Sequence, residues 1–302
     1  MTNPGDVFFV GNADILLNKN QSVAGVDQAG GGTFQRPFRT LDFAIGQCTA
    51  GRGDVIFIKP GHAETYSTAT ATSDDLTLDI ADVAIIGLGR GTSQPTFTLD
   101  TTNTTTIAVK AANISIINCG FVANFLSIAQ CFTLTTAKHF ALIQCDFSDT
   151  SAALNFVNIA ESTGTANTVD GLYLERNRAS MLGTTFNTFA VLAATARGMT
   201  VIDNIVDSID TADEPALMDV TGIVTDIMFA RNYVGVLGTT NINIALKVTG
   251  TTSTGFFDEN ICHSLDTTGV QATVDGGYRF SKSLHGGAVI TQAKVQDPAE
   301  EA

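Results

Sequence analysis

Three observations in the 302-residue sequence predict one fold class: an all-β, single-stranded right-handed parallel β-helix, a solenoid of about eight coils with an N-terminal capping helix. An eight-residue phrase carrying Asn at its sixth position recurs about every 28 residues. The strands it marks are short and separated by turns rich in Thr, Gly, Asn and Ser. Charged residues make up only 15 % of the chain, a composition that favours strands and turns over helices.

The repeat is clearest in "MTVIDNIV" (199–206) and "IMFARNYV" (227–234), which lie 28 residues apart and share the order apolar, any, apolar, any, any, Asn, any, apolar. Extending outward gives "IFIKPGHA", "VAIIGLGR", "ISIINCGF", "FALIQCDF", "LYLERNRA" and "GFFDENIC" as further copies. The anchors are Gly61, Leu88, Cys119, Cys145, Asn177, Asn204, Asn232 and Asn260, at intervals of 27, 31, 26, 32, 27, 28 and 28 residues. Fifteen of the sixteen positions five and three before an anchor are apolar, Gly255 being the exception. Units too short to bury a face alone gain a continuous core by stacking into parallel sheets. At the ~4.8 Å spacing between strands, such a stack makes a rod on the order of 40 Å long. Second strands appear as "TFTL", "TIAV", "CFTL", "FVNIA", "FAVLA", "ALMDV" and "IALKV". The two longest intervals hold "GTSQPTFTLDTTNTT" and "ESTGTANTVDG", expected to bulge from the rod as loops.

The recurring Asn is expected at the bend between two sheets, because Asn tolerates left-handed backbone. Stacked coil on coil, Asn177, Asn204, Asn232 and Asn260 would bond one another, satisfying amides whose burial is otherwise costly. Cys145 and Cys119 take the same place in earlier coils and turn the ladder apolar. Their side chains would point the same way, a poor geometry for a disulfide. With Cys48, Cys131 and Cys262 they form an odd set of five lacking CxxC, so neither a disulfide framework nor a zinc site is predicted. No cofactor is implied.

Residues 1–50 read as an N-terminal arm and capping helix, 51–275 as the β-helix, and 276–302 as a C-terminal arm or cap. In "TLDFAIGQCTAG", Leu41, Ala44, Ile45 and Cys48 fall at helical spacing, with Thr40 as N-cap and Gly51 as stop. Such a helix would plug the open end of the rod and block strand pairing there. The last segment leaves the repeat register and ends in the acidic "QDPAEEA". Sixteen basic residues against 30 acidic ones give a net charge of −14, which argues against nucleic acid or anionic membrane as partner. No apolar run is long enough to span a bilayer, and the first residues lack the pattern of a secretory signal.

The stretch "GTFQRPFRTLDFAIGQCTAGRGDVIFIKPGHAET" resembles the N-terminal cap and first coil of pectate-lyase-like right-handed β-helix proteins. The match runs through Pro37, Phe38, Thr40, Leu41, Ala44 and Ile45, then Gly53, Asp54, Ile56, Pro60 and Gly61. Together with "VAIIGLGRGTSQPTF", it is similar in particular to β-helix proteins of tailed bacteriophages. The motifs cover about residues 30–125 and the repeat 55–265. The resemblance implies a virion protein assembled in the host cytoplasm: a tailspike, tail fibre or capsid decoration, commonly trimeric.

Enzymes of this fold place paired carboxylates, or Asp with Arg or Lys, on an outer sheet face, as acid–base chemistry on sugars requires. Candidates are Asp203, Asp207 and Asp210, Asp258 with Glu259, and Glu175 and Arg176 with Arg231. Most lie at the anchor turn, where solvated charge is expected, and a chain with no Trp and four Tyr lacks the flat platforms of sugar grooves. His62 is expected to cap the first turn. The "RGD" at Arg52–Asp54 leads straight into a strand and does not read as an adhesion site.

The repeated strand is more informative on its outer side. Four residues before the anchors stand Phe57, Ala84, Ser115, Ala141, Tyr173, Thr200, Met228 and Phe256. Two before stand Lys59, Ile86, Ile117, Ile143, Glu175, Ile202, Ala230 and Asp258. Eleven of the sixteen are apolar, which marks an interface or a face covered by the chain's own loops. The candidate oligomer interface is Ile86, Ile117, Ile143, Ile202, Met228 and Phe256. The expected function is a non-enzymatic structural virion protein, a homotrimeric capsid decoration or spike partnered by itself and the major capsid protein. The alternative is a tailspike or tail fibre that binds or cleaves host surface polysaccharide.

Overall fold

The computed structural model describes residues 5–11, 25–67, 76–162, 164–209, 216–236, 244–248, 253–264, 277–281 and 284–286. Successive coils align their strands in three sheets of ten, nine and seven strands, with a separate two-stranded sheet beside them. The first coil gives Asp54–Ile58 to the first sheet, Ala63–Tyr66 to the second and Leu76–Leu78 to the third. Neighbouring strands are parallel throughout the sheets. The chain is a parallel β-helix. Seven coils supply all three strands, the last through Ile227–Ala230, Tyr233–Val236 and Ile244–Val248. Among the described residues two further rungs reach only the first two sheets, so the complete coils described number slightly fewer than the repeat implied.

Alternation along each strand builds the core, because successive side chains point to opposite faces. In the first sheet Ile56, Ile85, Ile116, Leu142, Leu174, Val201, Phe229 and Phe257 lie side by side and are buried. In the second sheet Phe97, Phe121 and Phe147 stack with ring centroids 5.6 and 5.3 Å apart. Offset aromatic pairs of this kind each add roughly 0.5–1.5 kcal/mol beyond burial.

The N-terminal end is closed by two devices. Val7–Val10 pairs with the first coil and extends the first sheet by one strand, an element the sequence did not announce. The helix is Leu41–Ile45, five residues long, with Leu41, Ala44 and Ile45 buried. Thr40 caps it by accepting from the Phe43 N–H at 3.3 Å, and Glu64 of the first coil accepts from the Leu41 N–H at 3.0 Å. At the other end, Gly277–Ser281 and Leu284–Gly286 continue the first and second sheets. The register therefore persists past residue 276. It was hidden because Phe280 pairs with Phe257 only 23 positions earlier. The acidic tail lies outside the described residues.

Two details of the repeat differ from expectation. Ile56, not Ile58, lies beside Ile85, because the first coil's turn between sheets, residues 59–62, is longer than the two-residue turns from the third coil onward. In the anchor turn the left-handed residue is the one before the anchor: Asn118, Gln144, Arg176, Asp203, Arg231 and Glu259 have φ of 48–57°. The anchor itself points inward. Each ladder Asn accepts, through Oδ1, both the backbone and the side-chain N–H of the Asn one coil earlier, at 2.9–3.0 Å. Its Nδ2 also donates to a first-sheet carbonyl of the earlier coil, as Asn232 does to Val201 at 2.9 Å. Asn177 ends the series by accepting from the Cys145 N–H at 3.0 Å. Cys119 and Cys145 are buried with free thiols, and burial pushes Cys145 up to about 12. Leu88 stands in a longer turn, only half-buried.

Asn232→Leu removes the acceptor shared by the Asn204 N–H groups and the donor to Val201 inside a buried ladder. Leaving such groups unpaired costs about 3 kcal/mol of stability. Asn103→Ala, at an exposed position, is expected to stay within about 0.5 kcal/mol of the parent. Chemical denaturation of the two variants compares them; equal midpoints would refute the ladder's role.

Candidate functional site

The first sheet's outer face carries two columns fixed by strand register. One runs Phe9, Phe57, Ile86, Ile117, Ile143, Glu175, Ile202, Ala230 and Asp258. The other runs Val55, Ala84, Ser115, Ala141, Tyr173, Thr200, Met228 and Phe256. The first-coil shift puts Phe57 in the isoleucine column, in place of Lys59. Lys59 instead lays its ammonium 4.5 Å from the Phe34 ring centroid and donates to the Phe34 carbonyl. Every member of both columns from Ala84 to Ile202 is partly open to solvent, so no described loop closes over them. Met228 and Phe256 are 41 % and 39 % exposed. Only Ala230 is buried.

A second apolar column was missed. Ile205, Tyr233 and Ile261 are direct neighbours on the outer face of the second sheet, and Ile205 and Ile261 are exposed. Each directly follows a ladder Asn, in "DNIV", "RNYV" and "ENIC", and that recurrence was the available signal. Asp146 and Arg178 hold the same place in the two preceding coils.

The charged candidates are bound into the turn surface. Arg231 donates to both Asp203 oxygens at 2.8 and 2.9 Å, which holds the Asp203 carboxyl below its ordinary range. Glu175 accepts from the Tyr173 hydroxyl at 2.9 Å and pairs with Arg176 at 3.1 Å. Asp207 lies 3.9 Å from Arg178. Asp258 and Glu259 stand one coil beyond Arg231, and Asp210 lies outside the described residues. These positions are spread along the turn column and do not converge on a common point. His62 is buried with Nε2 3.1 Å from Glu64. In the "RGD" segment Arg52 clamps the buried Asp54 through two bonds of 2.8 and 2.9 Å, which removes it as a free tripeptide.

The third sheet's outer face is polar. Gln130 donates to Thr133 at 3.0 Å and Asn158 to Glu161 at 3.3 Å, so residues three apart share one side while both residues between them are buried. Thr133, Glu161, Val191 and Asp219 form one outer column. Glu161 and Asp219 are two rungs apart, roughly 10 Å along the axis at the usual strand spacing. Where the chain passes from the second sheet to the third, Asp149 accepts from the N–H groups of Phe156, Leu182 and Gly183 at 2.8–3.0 Å. Burial outweighs these bonds and raises its carboxyl to about 6. Among the described residues no group of three or more His, Cys, Asp or Glu is placed to hold a metal ion.

These features define a β-helical rod with an apolar face on its first sheet and a polar face on its third. No family profile and no curated protein matches the chain. Among solved structures it is similar to a rhamnogalacturonan lyase at 12 % identity, over 92 % of this chain and 87 % of that one, with a TM-score of 0.49.

Asp149 yields a pH prediction. With its folded value near 6 and an unfolded value near 3.8, the native state keeps a proton that the unfolded chain releases between them. The resulting stabilisation, about 2–3 kcal/mol, is full below pH 4 and lost as pH rises through 6. Denaturation midpoints measured across this range are expected to fall more steeply for the parent than for Asp149→Asn. Parallel slopes would contradict the raised value.

Proposed function

We propose that the protein is a non-enzymatic structural protein of a tailed-phage virion, a homotrimeric capsid decoration or spike assembled through the outer face of its first sheet. The half-open column of Ile86, Ile117, Ile143 and Ile202 carries this reading. Fully burying one such side chain is worth about 1.5–3 kcal/mol, so a stripe of them left in water is costly and prone to aggregate. Closed rotational symmetry buries the same stripe on every copy. The virion setting is supported by the resemblance of residues 30–125 to phage β-helix proteins, and the major capsid protein is the partner it implies. The net charge of −14 fits a solvated particle surface and opposes nucleic-acid binding.

A second reading, a spike that binds or cleaves host surface polysaccharide, is favoured by the polar column holding Glu161 and Asp219. Inverting glycosidases hold their two carboxyl groups roughly 6.5–9.5 Å apart. Purified protein incubated with that polysaccharide is expected to leave its chain length unchanged. Depolymerisation abolished by Glu161→Gln would replace the structural reading with the enzymatic one.

In solution, light scattering is expected to give the mass of three 31.6 kDa chains. Ile117→Asp and Ile143→Asp should shift that mass to monomer. A folded parent that is monomeric at micromolar concentration would overturn the proposal.

A further inference from the structure

A ring of three requires more than one apolar stripe. In cyclic symmetry beyond a dimer each copy meets its two neighbours through two different patches, whereas a twofold contact uses one self-complementary patch. The rod carries two outer faces joined at the Asn turn, and over four consecutive rungs each puts a charge first and large apolar side chains on the rungs that follow, with Asp258 the one charge among them. On the first, Glu175 of the first sheet stands at the height of Arg178 of the second; Glu175 interrupts the isoleucine column, and Arg178 directly precedes the apolar run that starts at Ile205. On the next, Ile202 stands level with Ile205; beyond it this column continues as buried Ala230 and as Asp258, and the neighbouring outer column of the same sheet supplies Met228 at the height of Tyr233 and Phe256 at the height of Ile261. The last two pairs hold three of the most open large apolar side chains, Met228, Phe256 and Ile261.

We infer that the first sheet of one copy packs against the second sheet of a parallel neighbouring copy across these four rungs, with Glu175 facing the neighbour's Arg178. This deepens the trimer reading above and rests on it. Charge discriminates between arrangements. If parallel rods met first sheet to first sheet, Glu175 would face Glu175, and like charges brought together cost several kcal/mol. The Arg178 guanidinium is free to turn outward, since its nearest carboxylate, Asp207, is 3.9 Å away and its side chain is 61 % exposed. A face-to-face dimer would also leave Ile205 and Ile261 in water. The ring covers them.

Charge reversal reads the contact. Glu175→Arg and Arg178→Glu, singly, are each expected to raise the concentration for half-assembly by at least about tenfold. The double variant should return it to within about threefold of the parent. Within one chain the swap repairs nothing, because Arg176 beside position 175 and Asp207 near position 178 then face like charges. A second readout uses thiols in a Cys262→Ser background: Ile202→Cys with Ile205→Cys should give covalent trimers with a short bismaleimide, and either alone should not. Circular dichroism matching the parent verifies folding. If the thiol variants misfold, charge reversal decides the matter alone. Trimers without rescue or cross-links, or dimers cross-linked by Ile202→Cys alone, would overturn this interface and leave the trimer standing. A monomeric parent would overturn both.

Discussion

In six consecutive coils, from Asn118–Cys119 to Glu259–Asn260, the chain leaves the first sheet through two residues with opposite tasks. The first takes a left-handed backbone and faces solvent. The second turns inward and, where it is Asn, bonds the coils on either side. This buried polar turn is the constraint on which the rest depends. A one-residue slip would leave amides unpaired and move every following side chain to the wrong face of its strand. Register is therefore fixed coil after coil, and fixed register makes columns: apolar ones inside, and whatever the sequence supplies outside.

The outer columns differ from face to face, and function is read from that difference. Along the turn, Arg176, Asp203, Arg231 and Glu259 alternate in sign and are partly paired, as the Arg231–Asp203 bonds illustrate. Exposed pairs of this kind contribute little to stability, but they keep the turn edge solvated. The third sheet offers hydroxyls, amides and carboxylates. The first sheet offers isoleucines, and its last rungs share an apolar belt with the second sheet across the turn. A rod whose long faces are chemically distinct can assemble side by side in one orientation. This specificity comes from the mismatch of wrong pairings as much as from attraction in the right one.

Much of the fold was legible because stacking repeats one phrase, and eight copies of an apolar-any-apolar pattern left little ambiguity about the strands. The roles within the turn were less legible. Asn and its predecessor are both polar, and only geometry separates the left-handed residue from the buried one. The first coil slipped by two because its turn is longer, so Lys59 was assigned to a column that belongs to Phe57. The last rung was missed because its first strand follows the strand it pairs with by only 23 residues. At the site, the isoleucine column could be written down from register alone, since outward positions follow from inward ones. Ile205, Tyr233 and Ile261 escaped because they lie past the bend, where alternation restarts on another face. The polar third sheet escaped for a similar reason: two adjacent buried residues, Cys131 and Phe132 for example, break the period-two pattern.

In the proposed trimer the columns set by the Asn turn bring three rods together around one axis. A cryo-electron microscopy reconstruction of the purified protein at side-chain detail tests this most directly. Three parallel rods, with the Ile86–Ile117–Ile143 column buried between neighbouring copies and excluded from water, are the expected result. Single rods, or an assembly with that column facing outward, would contradict it.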